Sequence, residues 1–145
     1  AGGDSVWKNF DTKVKIRAAD EFKRGNNERA LDIFVGGVLG DTLAFSKTPE
    51  PYRDMMMENT LELRGFALND ETFLAVTCNA LKQIKRPVLL VGGARSPILF
   101  TSILNELEHC LSTEERVTLP NASHGLQNEN PSEFNKIALT FIDSH

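Results

Sequence analysis

The aliphatic run Val88-Leu89-Leu90-Val91, closed by Gly92-Gly93, constrains the fold more than any other segment of the chain. A short apolar run that ends in turn residues is typical of a strand buried on both faces of a parallel sheet. A helical pattern follows, opened by Pro97 and continuing to about Leu111. Its apolar face consists of Leu99, Ile103, Leu104 and Leu107.

A second strand and a last helix complete the pattern. Glu115 to Leu119 reads as a strand, residues 120–130 as a polar loop, and Pro131 opens the final helix. The apolar positions of that helix are Phe134, Ile137, Ala138, Phe141 and Ile142. The order strand, helix, strand, helix predicts a β-α-β-α unit with parallel strands and a right-handed crossover.

Residues 6–83 have a different pattern and read as helical throughout. The predicted helices are Ala18–Arg24 with Gly25 as its C-cap, Glu28–Val35 with Asn27 as its N-cap, a helix opened by Pro49 and Pro51 that runs to about Arg64, and Asp70–Leu81. Glycines at 36, 37 and 40 are expected to break the second helix. The basic residues Lys82, Lys85 and Arg86 indicate a helix end before a strand rather than a phosphate site. The predicted organisation is therefore α/β, with a helical segment over residues 1–83 and the β-α-β-α unit over residues 84–145.

Charge and composition exclude several classes of function. The net charge of -4 and the absence of a basic stripe argue against a nucleic-acid-binding protein. No segment approaches the roughly 20 apolar residues that span a bilayer, and the first residues do not form a signal peptide. Cys78 and Cys110 are expected to be reduced thiols, Cys78 packing as a small hydrophobe, with a disulfide as the alternative. These features predict a soluble, cytoplasmic protein without a cofactor or a metal site.

The segment Leu119-Pro120-Asn121-Ala122-Ser123-His124-Gly125 carries the clearest chemical signal. His124 stands in a tight loop directly after a predicted strand, and open α/β folds place their active sites at the carboxyl ends of such strands. Imidazole suits general base work because its ordinary pKa lies near neutrality. His109 and His145 have no such setting and are interpreted as ordinary surface residues.

The whole segment, with Asn130-Pro131-Ser132-Glu133-Phe134 and the final amphipathic helix, resembles the end of α/β-hydrolase fold proteins, over about residues 17–145. Within that superfamily the chain is most similar to the lid-bearing, esterase-like and C–C-hydrolase-like branch. The resemblance implies that His124 is the catalytic histidine and that residues 18–83 form a lid. It also implies that Met55-Met56-Met57 and Phe66 line a substrate pocket, although such a stripe is more often plain core.

Two departures from the family pattern stand beside this resemblance. Ser96 stands where a Gly-x-x-Asp pattern would place the catalytic acid. The nucleophile elbow Gly-x-Ser-x-Gly appears nowhere, because Ser5, Ser46, Ser96 and Ser123 all lack the paired glycines. A histidine without a nucleophile cannot perform acyl transfer. The chain alone is therefore expected to be inactive, as a fragment or truncated relative of a hydrolase that acts on a small molecule only when completed.

The expected partners follow from the lack of the part of the fold that would carry the nucleophile. Two strands rarely form an independently stable sheet, and an unpaired apolar edge is a template for association. We expect either a homodimer with antiparallel pairing of edge strands or association with a missing amino-terminal half of the hydrolase.

Three alternatives remain at this stage. Residues 18–31 resemble one tetratricopeptide unit, but no second copy follows about 34 residues later. The glycines of residues 36–41 or 92–93 offer a phosphate site, but they lack the strand-loop-helix fingerprint with Lys and Ser or Thr. A non-catalytic interaction module built from this half-fold is the third.

Overall fold

The computed structural model describes residues 2–69, 76–112 and 114–145, with the side chains of residues 2–4 left aside. It is a mixed α/β protein, mostly helical, with a parallel sheet of two strands among the described residues. The chain divides into two compact units, residues 1–74 and 75–145. Residues 75–83, which the sequence analysis grouped with the helical segment, thus belong to the second unit. No helix in the described part of the chain is long and apolar enough to cross a membrane.

The first unit is helical in all its regular elements that the structure describes. They are α1 (Gly2–Phe10), a π-helical turn (Asp11–Lys15), α2 (Ile16–Lys23), α3 (Asn27–Leu39), α4 (Ala44–Lys47), α5 (Glu50–Glu58) and α6 (Thr60–Leu68). Its core is formed by Ala18, Ala19, Phe22, Ala30 and Ala67, with Ile33, Phe34 and Leu63 packed around them. The small alanines let α2, α3 and α6 approach one another, and Phe22 fills the space between them.

Helix α3 (Asn27–Leu39) differs from the helix predicted over Glu28–Val35. It begins one residue earlier than expected, after Asn26, and runs through Gly36 and Gly37 to Leu39. Gly40 ends it with a left-handed φ of 74°. An added Cβ at Gly37 would lie 2.6 Å from Cγ1 of Val14, so this glycine allows close approach of the π-helical turn. The prediction that Gly36 and Gly37 break the helix was wrong because tertiary packing determines their conformation.

The helix predicted from Pro51 to Arg64 is two helices, α5 and α6. Asn59 separates them, and its side-chain amide donates to the Met55 carbonyl at 2.7 Å. Asparagine competes with helical hydrogen bonds in this way, which the apolar periodicity does not register. Pro49 stands at the N-cap of α5 and Pro51 in its first turn, as expected.

The second unit contains α7 (Cys78–Leu81), β1 (Val88–Gly93), α8 (Ile98–Cys110), β2 (Glu114–Leu119), α9 (Leu126–Glu129) and α10 (Pro131–Ser144). The two strands are parallel, which confirms the predicted strand, helix, strand, helix order. Leu119, Ala122 and Leu126 form its core, with Val91, Phe134 and Ile137 around them. Of the predicted helix Asp70–Leu81, residues 70–75 lie outside the described residues, and residues 76–77 precede α7 without being helical. Lys85 donates to the Lys82 carbonyl at 2.7 Å, as expected of a cation at a helix end.

The cysteines are not reduced thiols. Cys78, the first residue of α7, and Cys110, the last residue of α8, form a disulfide with a Cα–Cα distance of 5.0 Å. The expectation of free thiols rested on the lack of a secretory segment, whereas packing of α7 against α8 brings the two positions together. Cys78 is thus a covalent tie and not simply a small hydrophobe.

Candidate functional site

The carboxyl ends of the two strands form the edge that carries the candidate site. The parallel register pairs Val88 with Glu114 at one end and Gly93 with Leu119 at the other. The chain therefore leaves both strands at the same edge of the sheet, through residues 94–97 after β1 and residues 120–125 after β2. Open α/β folds bind their ligands at such an edge.

Backbone hydrogen bonds join the two loops. The Ala94 amide donates to the Leu119 carbonyl and the Arg95 amide to the Ala122 carbonyl, both at 2.9 Å. Gly93 makes this approach possible, because an added Cβ would overlap the carbonyl oxygens of Ala122 and Ser123. These contacts hold the loop of residues 120–125 at a fixed position relative to the start of α8.

Side chains reinforce the loop after β2. Asn121 has a left-handed φ of 59°, a conformation that asparagine tolerates better than most residues. Arg95 donates to the Asn121 carbonyl at 2.5 Å and to the Glu129 carboxylate at 3.2 Å. The guanidinium thus links the turn at Asn121 to α9, which begins five residues further along the chain.

Glu129 is the main acceptor of this loop. It accepts hydrogen bonds from the Ser123 amide, at 2.9 Å, and from the Ser123 hydroxyl. Burial raises the pKa of Glu129, but the hydrogen bonds from Ser123 and the charge of Arg95 outweigh it, so the pKa lies below its ordinary value. The carboxylate is therefore ionised at neutral pH and holds the residue that precedes His124.

His124 projects from this reinforced loop and stacks on Phe100, the third residue of α8. The two ring centroids are 3.6 Å apart and the planes are inclined by 12°. His124 remains exposed as a residue, yet partial burial of the imidazole lowers its pKa below the ordinary value of 6.5. The neutral form, which is the form that accepts a proton, therefore predominates at neutral pH.

The partners of a complete catalytic triad are not brought to His124 by the described residues. The amide of Ser96 donates to the Gly93 carbonyl at 3.0 Å. The hydroxyl of Ser123 is engaged by Glu129 and the residue is buried. Within residues 2–69, 76–112 and 114–145, no side chain hydrogen-bonds to the imidazole of His124. Among the described residues, the imidazole of His124 is therefore presented without a hydroxyl or a carboxylate bonded to it.

The other two histidines lie away from this edge. His109 is exposed on α8. His145 packs against Phe141, with ring centroids 4.5 Å apart and planes inclined by 36°, and its Nε2 is 3.5 Å from Oε1 of Glu115. Among the described residues no group of three histidines, cysteines or carboxylates is arranged to hold a metal ion.

The residues predicted to line a substrate pocket, residues 55–57 and Phe66, have different surroundings in the first unit. Met55 is half exposed, whereas Met57 lines an open cavity of about 670 Å³ together with Phe45 and Arg53. Phe66 packs edge-to-face on Phe34 at 5.5 Å, which is the setting of a core aromatic. Gly36 and Gly37 are helical, so residues 36–41 do not form a phosphate-binding loop between a strand and a helix.

Phe100, Glu129 and Arg95 were missed as site residues by sequence reasoning. Glu129 follows His124 by five residues and was available as a signal, since an acid shortly after a loop histidine can return to that loop. Phe100 and Arg95 carry no comparable signal, because their roles depend on the pairing of β1 with β2.

Comparison of the chain with protein-family models, curated proteins and solved structures finds no match.

Proposed function

We propose that this chain is one part of an α/β-hydrolase site, a fragment or truncated relative that contributes the general base His124 and is inactive without a nucleophile from elsewhere. The observation that carries the proposal is the presentation of His124 at the carboxyl edge of two parallel strands, on a loop tied to the neighbouring strand's loop. The completed site would hydrolyse an ester or a C–C bond in a small molecule, as the family resemblance implies.

The chemistry of the loop supports this role. The lowered pKa of His124 keeps the imidazole neutral, and a neutral imidazole accepts a proton from a hydroxyl within hydrogen-bond reach. Ser123 is unsuited as that hydroxyl, since it is buried and donates to Glu129.

An ester-hydrolysis assay on the purified chain tests the proposal, with His124→Ala as the matched variant and a short-chain nitrophenyl ester as the substrate. We expect no turnover above background from either protein. Turnover that disappears in His124→Ala would contradict the proposed incompleteness and locate a nucleophile in the chain. Turnover that persists in His124→Ala would contradict the role of His124 itself.

A second proposal concerns the partner. Both strands pair with only one neighbour among the described residues, so the outer edge of β1 carries backbone groups without a strand partner. We propose that this edge either pairs antiparallel with β1 of a second copy or joins the missing amino-terminal half of the hydrolase. A non-catalytic interaction module would use the same edge and would also show no ester hydrolysis.

The cytoplasmic location predicted from the sequence is at odds with the Cys78–Cys110 disulfide, since such bonds persist mainly in oxidising compartments.

A further inference from the structure

The imidazole of His124 is restrained in an unusual way. Its ring lies 3.6 Å from the ring of Phe100, centroid to centroid, with an inclination of only 12°, so the two faces are in full contact. In a serine hydrolase a buried carboxylate hydrogen-bonds to the imidazole, fixes its orientation and supports its protonated form. Here the described residues supply no such carboxylate, and Ser96 stands at the position where the family pattern places one.

Both rings are attached to the same rigid edge. Phe100 lies in the first turn of α8, and its amide donates to the Pro97 carbonyl at 3.0 Å. The neighbouring Leu99 is buried and anchors this turn, while the buried Ser123 anchors the residue before His124. The Arg95–Ala122 backbone hydrogen bond joins the two segments directly. The backbone positions from which the two rings project are thus fixed relative to one another.

We propose that Phe100 is the positioning residue of His124, holding the imidazole plane by ring stacking where a triad would use a carboxylate hydrogen bond. The inference rests on the proposed function, because it takes His124 as the base of the site. Stacking fixes the plane of the imidazole but leaves both ring nitrogens at its perimeter, so neither tautomer is selected. The ring also shields one face of the imidazole from water, which disfavours the imidazolium.

The charged groups near His124 belong to the loop and to α9. They are Arg95 and Glu129, which bond to each other. The first turn of α8, Ile98 to Thr101, contributes no charged side chain. Removal of the Phe100 ring therefore changes the solvation of the imidazole without removing a charge.

Proton NMR of the full chain tests the inference without any turnover. The measured quantities are the chemical shifts and the pKa of the His124 ring in the wild type, Phe100→Leu and Phe100→Tyr. Phe141→Leu is the matched control, because the ring of Phe141 contacts His145 in the same unit. In Phe100→Leu we expect loss of the upfield ring-current shift of His124 and a rise of its pKa towards 6.5. Phe100→Tyr retains the stacking and both wild-type values, and Phe141→Leu alters only the signals of His145.

Unchanged His124 shifts and pKa in a folded Phe100→Leu protein would overturn the inference. Should that variant fail to fold, nuclear Overhauser contacts between the two rings of the wild type decide the matter, and their absence would also overturn it. Failure of the proposed function has a different signature, namely ester hydrolysis that does not depend on His124 while the ring contacts persist.

Discussion

At the scale of single residues, Glu129 concentrates several interactions of the loop after β2 in one carboxylate. It accepts from both the amide and the hydroxyl of Ser123, and Ser123 is only 6% exposed. A buried donor that loses its acceptor costs about 1 to 3 kcal/mol. Removal of Glu129 would therefore destabilise the fold mainly because it leaves the amide and the hydroxyl of Ser123 without an acceptor.

We predict that Glu129→Ala lowers the free energy of unfolding by about 2 kcal/mol, because both donors of Ser123 lose their acceptor. Glu129→Gln retains an acceptor oxygen and should cost less than about 1 kcal/mol. Urea unfolding followed by circular dichroism measures both values. Equal losses in the two variants would show that charge, and not hydrogen bonding to Ser123, accounts for the effect.

The same carboxylate gives the stability a pH dependence. The folded-state pKa of Glu129 lies below its ordinary value of 4.5, so its contribution is present above pH 4.5 and is lost as the pH falls through the folded-state pKa. Protonation of His124 also lowers the stability of the folded state, but at higher pH. Its folded-state pKa lies below 6.5, so protonation favours the unfolded state as the pH falls from above 6.5 through the folded-state pKa. Measured at a series of pH values, the free energy of unfolding should fall less in Glu129→Gln than in the wild type as the pH drops below 4.5.

The residues of the site differ in how far the sequence reveals them. His124 is identifiable because its neighbours specify a loop directly after a strand, and loop chemistry is local. Phe100 is not identifiable in this way, since its partner is 24 positions away along the printed sequence and the contact requires β1 to pair with β2 in one register. Local patterns predict where the loop histidine stands but not which ring stacks on it.

At the scale of elements, the disulfide fastens α7 to the far end of α8. Cys78 and Cys110 are separated by 32 positions, and the enclosed segment contains β1. In the chain-entropy description, a closed loop of this length restricts the unfolded state by roughly 3 to 4 kcal/mol.

We predict that Cys78→Ser/Cys110→Ser lowers the free energy of unfolding of the second unit by roughly 3 to 4 kcal/mol. Wild-type protein treated with a dithiol reductant should show the same loss, whereas the double variant should not respond to the reductant. Urea unfolding under both conditions measures the effect, and thiol titration reports the state of the cysteines. Equal stability of oxidised and reduced wild type would contradict the prediction.

A second prediction at this scale concerns helix approach in the first unit. An alanine at Gly37 would collide with the side chain of Val14, so Gly37→Ala should lower the free energy of unfolding by about 1 to 3 kcal/mol. Gly65→Ala is the matched control on α6, where an added Cβ meets nothing within 4 Å. There the gain in helix propensity should stabilise the unit by about 0.5 to 1 kcal/mol.

Thermal or urea unfolding of both glycine variants, and of Gly37→Ala/Val14→Ala, completes the test. Removal of the Val14 branches should recover part of the loss at Gly37, a coupling that a double-mutant cycle measures. Additive losses would show that Gly37 is constrained by something other than Val14.

The element pattern was predictable where periodicity and caps agree. The β-α-β-α order follows from apolar runs separated by proline and glycine, and α10 begins at Pro131, where Asn130 accepts from the Glu133 amide at 3.4 Å. The prediction at Gly36 and Gly37 was wrong because contacts outside the helix, with Val14 and with the backbone of residues 41–42, determine the conformation there. The prediction at Asn59 was wrong because one side-chain hydrogen bond can interrupt an otherwise continuous apolar pattern.

At the scale of the whole molecule, the outer edge of β1 raises the question of assembly. Leu89 and Val91 make this strand apolar, whereas β2 carries Glu114, Glu115 and Arg116. Charged residues discourage pairing at an edge, and apolar residues favour it. Self-association is therefore expected through β1.

We predict that the chain is a dimer, with a molar mass of twice 16.1 kDa in light scattering at micromolar concentration. Antiparallel pairing of β1 with its symmetry mate would produce a four-stranded sheet and satisfy the backbone groups of both edges. A mass of 16.1 kDa that does not change on concentration would contradict this prediction.

The disulfide also determines how tension would pass through the second unit. Force applied at the two ends of the chain would run from Cys78 directly to Cys110 and bypass the residues between them. β1 and nearly all of α8 would then carry no load, whereas β2 would lie in the loaded path. Opening the bridge would release about 110 Å of extended chain. The bridge thus makes β1 a mechanically sheltered strand beside one that is exposed to pulling.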